Sequence, residues 1–167
     1  MTLYRADNVA LDATTDVQAG ASYTTTAKVA IQLGLAASKT ISLVEFGISS
    51  DAAPTTSPLI SIATTNAGST MTTAHSTTTV KPLLNNLASA SGLTMGTATT
   101  GFGTGAITTN TTLRILHKLY APQVYVYTYP LGMWPTIGNA SAEQFLQLRI
   151  KVAATQNLYC WLIWDEA

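Results

Sequence analysis

Apolar residues along this chain recur at every second position. In EQFLQLRIKV, Leu146, Leu148, Ile150 and Val152 alternate with Gln147, Arg149 and Lys151, the period of a half-buried strand. AKVAIQL sets Val29, Ile31 and Leu33 against Lys28 and Gln32, and TISLVEFGIS puts Val44, Phe46 and Ile48 on one face. PLISIATT is a short apolar strand after a proline. QVYVYTYP carries Tyr125, Tyr127 and Tyr129 on one face and Val124 and Val126 on the other. TLRILHKLYA is compatible with either period, because Leu113, Leu116 and Tyr120 also fit a helical stripe.

The chain closes on LYCWLIWDEA. As a strand, this segment turns Leu158, Cys160, Leu162 and Trp164 one way and Tyr159, Trp161 and Ile163 the other. Both faces are apolar, so the strand is expected to be central, or to lie between a core and a subunit contact. The preceding AATQN has the length of a hairpin loop, with Asn157 able to take a left-handed conformation. Many short strands with Gly, Pro and Thr punctuation predict an all-β fold, an antiparallel β-sandwich or jelly-roll-like single domain over residues 21–167. Residues 1–20 are expected to form a short N-terminal arm.

Charge narrows the function classes. Only 10% of residues are charged, against roughly 25% in an ordinary domain, and eight basic residues cancel eight acidic ones. Thr fills much of the gap, at about one residue in six. Between Asp51 and Arg114 the only charge is Lys81, and between Lys118 and Glu143 there is none. No nucleic-acid partner is expected, since counterion release needs clustered Lys and Arg. No membrane partner is expected either, because a basic amphipathic face and an apolar run of ~18 residues are both missing. MTLYRADNVALDATTD lacks the apolar core of a secretion signal, so a protein made and used without secretion is the expectation. A nearly chargeless surface suits a protein that spends its life against other subunits.

Candidate chemistry is sparse. Cys160 would need a base to become a nucleophile, and neither His75 nor His117 has a context that ties it to the thiol. These three residues do not make a zinc set, and Asp12 and Asp16 lack the acidic company of a calcium loop. Asp165 and Glu166 point to opposite faces of a strand and read as its solvated end. GFGTG, from Gly101 to Gly105, lacks the continuation of a phosphate loop and reads as a flexible turn. The sequons at Asn110 and Asn139 matter only in a secreted eukaryotic protein. No catalytic residue, metal site or cofactor is therefore expected. YVYTYPLGMWP offers Tyr125, Tyr127, Tyr129 and Trp134 as interface anchors or as a sugar-stacking platform, with an aromatic core strand as the plainer reading.

Two stretches carry a resemblance: LYRADNVAL at the N-terminus, and LRIKV followed by LYCWLIWDEA at the C-terminus. Together they resemble the small accessory virion proteins of tailed bacteriophages. The resemblance covers the two ends and the Thr/Ala-rich style between them. It implies a non-enzymatic decoration or cement protein on the outside of the capsid, made in the host cytoplasm, with the major capsid protein as partner and a homotrimer as the assembly. On this reading Tyr4 and Arg5 of the arm make contacts, with Tyr125, Tyr127, Tyr129 and Trp134 as further interface residues, and removing the arm leaves a folded protein. Two other readings stand beside it: a carbohydrate- or receptor-binding module of a fibre or spike, and a tail or connector component.

Overall fold

The segments that alternate in sequence form strands, stacked as two antiparallel sheets with no helix among the described residues. The computed structural model describes residues 2–10, 20–36, 39–53, 56–83, 91, 93–138 and 143–167. Asp12, Asp16 and the sequon at Asn139 lie outside them.

The seven-stranded sheet runs in the order β10 (Val124–Thr128), β4 (Thr40–Ser50), β13 (Gln156–Glu166), β1 (Thr2–Asp7), β7 (Val80–Pro82). In addition, β11 (Thr136–Gly138) pairs with β4, and β2 (Ala21–Tyr23) pairs with β13. The six-stranded sheet runs β6 (Thr73–Ala74), β8 (Gly101–Ala106), β3 (Lys28–Gly34), β12 (Phe145–Lys151), β5 (Leu59–Thr65), β9 (Leu113–Tyr120). Their inner faces meet in one core, with Ile31, Leu33, Ile60, Ile62, Leu146, Leu148 and Ile150 from one sheet. Opposite them stand Tyr4, Ile41, Leu43, Phe46, Ile48, Leu162 and Trp164 from the other. This is the two-sheet sandwich that period-two alternation calls for. The expected all-β sandwich is the observed fold.

Three local expectations are corrected and one open choice is resolved. β12 and β13 do not form a hairpin: they belong to different sheets, so residues 152–155 carry the chain across the core. A hairpin would have put both apolar sets on one sheet, whereas the crossing lets Leu148 and Leu162 face each other's layers. Val44 is not a core residue. The register jumps from Ile163↔Glu45 to Trp164↔Leu43, leaving Val44 in a bulge, and Leu43 takes the core position. A bulge likewise sits where Ile62↔His117 passes to Ala63↔Ile115, with Leu116 as the extra residue. That explains the ambiguous spacing of TLRILHKLYA, which is a strand. GFGTG is also a strand, not a turn. The 70–74 segment lies so close on it that a Cβ at Gly101 would stand 2.1 Å from the Thr73 carbonyl oxygen.

The N-terminal arm is corrected as well. Thr2–Asp7 is an inner strand hydrogen-bonded between β13 and β7, with Tyr4 opposite Trp164 and Arg5 opposite Ile163. Residues 11–19 of the expected arm lie outside the described residues. Tyr4 is 2% exposed, and its ring stacks on Trp164 at 5.9 Å between centroids. The physical reason is the two-sided demand of β13: unpaired on this flank, it would leave a long row of backbone groups without partners. Tyr4→Ala should therefore cost about 3–5 kcal/mol, the range for a large aromatic removed from a core. Urea unfolding followed by far-UV circular dichroism measures it, and a loss below 1 kcal/mol would return Tyr4 to a peripheral role.

Candidate functional site

The outward positions of β1, β13 and β4 build a flat aromatic and charged face on the seven-stranded sheet. Alternation sends Tyr4, Ala6, Leu162 and Trp164 inward, which leaves Arg5, Asp7, Tyr159, Trp161 and Ile163 outward. Gly47 of β4 stands directly opposite Trp161. A Cβ there would lie 2.0 Å from the indole ring, so the glycine lets Trp161 lie down on the sheet. The Trp161 Nε1–H donates to Glu45 Oε1 at 2.9 Å, and Thr128 Oγ1 donates to the other oxygen of the same carboxylate at 2.9 Å.

Arg5 reaches across this surface. Its Nε and Nη2 donate to Asp7 Oδ1 at 3.0 and 2.8 Å, and Nη2 also donates to Tyr159 Oη at 3.0 Å. Tyr159 Oη donates to the same Asp7 oxygen at 2.5 Å. The guanidinium carbon sits 5.2 Å from the Trp161 ring centroid, a cation–π distance. Burial alone would lower the Arg5 pKa, but the hydrogen bond and charge of Asp7, with help from Tyr159, hold it above its ordinary value. Burial, with the hydrogen bond to Asp7 next, pushes the Tyr159 phenol up to about 12. The face is thus a pre-ordered Arg–Asp–Tyr–Trp cluster with its charges paired. It can stack, accept and donate hydrogen bonds, and bury apolar area.

The other candidates are placed as follows. Arg5 lies in this face; Tyr4 lies in the core behind it. Tyr125, Tyr127 and Tyr129 turn inward and close the gap between the sheet edges, packing on Phe46 at 6.0, 5.8 and 6.3 Å between centroids. His117 joins them from β9, 4.7 Å from the Tyr127 ring. Burial pushes the Tyr129 phenol up to about 12, and its hydroxyl has no partner in the interior. Trp134 packs against the core and donates Nε1–H to the Tyr129 carbonyl at 3.1 Å. These four rings are a plug and do not form an exposed platform, because burying aromatic area between the sheets outweighs displaying it.

Cys160 is fully buried, and burial, with the Asp7 charge, raises its thiol well above its ordinary value, so it is a packing residue. Among the described residues no group of three His, Cys, Asp or Glu side chains could hold a metal ion. Asp165 accepts the Thr2 N–H at 2.8 Å, and Glu166 accepts the Trp164 Nε1–H at 3.0 Å, so these acids tie down the strand end and are not merely solvated. An open depression of about 320 Å³ beside Asp51, Gln156 and Asn157 has no aromatic wall. Tyr159, Trp161, Asp7 and Glu45 escaped the sequence reading as a site, although the outward half of the β13 alternation carried the signal for the two aromatics. Their union with Glu45 and Gly47 depends on pairings that span more than a hundred residues of chain.

His75, in the loop after β6, is buried against Phe102 at 5.2 Å between ring centroids, with Nε2 unpartnered. Burial lowers its pKa to about 4. A depressed folded-state value gives stability that is complete above the unfolded value of 6.5 and is lost as pH falls toward 4. The loss should approach about 3 kcal/mol across that window. His75→Phe should flatten this part of a stability–pH curve measured by urea unfolding; an unchanged slope would assign the acid sensitivity to other groups.

Compared with protein-family models, with curated proteins and with solved structures, the chain matches none of them.

Proposed function

We propose that this chain is a non-enzymatic structural protein that decorates and stabilises a bacteriophage capsid by binding the assembled lattice of the major capsid protein. The observation that carries the reading joins sequence to structure. Within the stretches that resemble accessory virion proteins, LYRAD at the N-terminal end and the closing LYCWLIWDE lie on neighbouring strands in register, and their outward residues make the Arg5–Asp7–Tyr159–Trp161 face. Tyr, Trp and Arg are the residues that most often dominate the energetics of protein interfaces, and these are already ordered before binding. The low charge of the chain agrees with a life against other subunits.

A protein that binds the assembled shell and not its dissociated subunits stabilises the shell by mass action. Several copies joined, as in the trimer that the resemblance implies, add avidity without new contact chemistry. The test is co-sedimentation of the purified protein with capsids in their immature and expanded forms, counting copies per shell. Saturation at a fixed ratio to the major capsid protein is expected. Trp161→Ala should weaken binding on the order of tenfold or more while the fold persists by circular dichroism. Absence of binding to either capsid form would overturn the reading. Saturable binding to a glycan array, lost with the same substitution, would assign the face to a receptor-binding module instead.

A further inference from the structure

Among the described residues, the two longest outer strands of the sandwich, β9 and β10, each have one flank with no strand paired to it. On β10 the Ser50 N–H donates to the Gln123 carbonyl and the Tyr129 N–H donates to the Val44 carbonyl. Antiparallel alternation then aims the backbone of Tyr125 and Tyr127 at β4, and that of Val124, Val126 and Thr128 away from the sheet. The same residues send their side chains outward, with Val124 60% and Val126 48% exposed. Natural edges are blunted by charge, bulges or proline, yet β10 carries no charge and pairs with β4 without a register shift. Its flanking prolines, Pro122 and Pro130, leave the strand itself free of ring constraint while bounding how far pairing can extend.

We propose that β10 is a self-association edge, on which β10 of a second copy of this chain pairs antiparallel about a twofold axis at Val126. In that register Val126 faces the second copy's Val126, and Val124 faces its Thr128, so each outward backbone group gains a partner. The two seven-stranded sheets become one continuous sheet. Neutrality is what favours a second copy as the occupant. At a twofold axis every side chain near the axis meets itself, so a charge there opposes its own like charge. Residues 119–142 carry no charge at all.

The nearest acid, Glu45, lies one strand back and is hydrogen-bonded to Thr128 and Trp161. Two copies of it would be separated by three strand spacings across the sheet, about 14 Å, and by about four residues along it, well beyond the screening length of about 8 Å at physiological salt. β9 does not qualify: it carries Arg114 and Lys118, and its bulge at Leu116 breaks an even register. The register also brings the second copy's 130–133 loop toward the connection after Tyr120. Leu131, Met133 and Tyr120, at 85, 71 and 71% exposed, are the most exposed large apolar side chains among the described residues.

This pairing rests on the edge geometry and not on a role at a capsid, and it differs from the threefold assembly that the family resemblance implies. Analytical ultracentrifugation of the full chain should give a concentration-dependent dimer. Val126→Lys and Val126→Glu should each raise the dissociation constant about tenfold or more, with circular dichroism unchanged. An equimolar mixture of the two variants should recover the dimer as a heterodimer, because only a residue that meets itself is rescued by opposite charges in two copies. Ile115→Lys, on the β9 edge, should leave the dimer intact. A wild-type chain that stays monomeric, an assembly that neither Val126 variant weakens, or a mixture that fails to recover would each overturn the proposal.

Discussion

The pairing of the two chain ends is the constraint on which the rest of the molecule depends. β13 is eleven residues long, apolar on both faces, and flanked on one side by β4 and on the other by β1. Without β1 its backbone would be open along Asp7↔Trp161 to Thr2↔Glu166, and Trp164 would lose its stacking partner Tyr4. Where β1 ends, Asn8 continues the work with its side chain. Its amide donates to the Leu158 carbonyl at 2.8 Å and accepts the Cys160 N–H at 2.8 Å, and it also donates to the Tyr23 hydroxyl. One polar residue thus closes backbone groups that strand pairing leaves open.

The two sheets solve the problem of their second face differently. The outer face of the seven-stranded sheet stays near solvent and carries the Arg5–Trp161 cluster. The outer face of the six-stranded sheet is covered by its own loops. Gln32 donates to the carbonyls of Ser69 and Thr99 and accepts the Ser69 N–H, and Gln147 donates to Gln32 and accepts from Arg149 Nε. This network lets Gln32, Gln147 and Arg149 be buried without apolar partners. Arg149 is its weak point, with Nη2 unpartnered and its pKa lowered by burial. The contrast assigns a structural role to one outer face and leaves the other available for contact.

Alternation in the sequence was enough to predict an all-β sandwich, the inner set of β12 and the two faces of β13, because a period of two is a property of the strand itself. It could not say which of two apolar faces turns inward. In β10 both faces qualify, and the tyrosines went inside because Phe46 and His117 offered rings to pack against, leaving Val124 and Val126 outside.

Partners distant in sequence were decided only by the tertiary structure. The arm became a strand because β13, more than 150 residues away, needed a neighbour. AATQN became a crossing because the inner faces of β12 and β13 had to oppose each other, and the bulges at Val44 and Leu116 shifted which residues reach the core. The candidate face followed the same rule. Its residue types were visible one at a time, but a surface formed by β1, β13 and β4 exists only once their register is set, and register depends on long-range burial that local pattern does not encode.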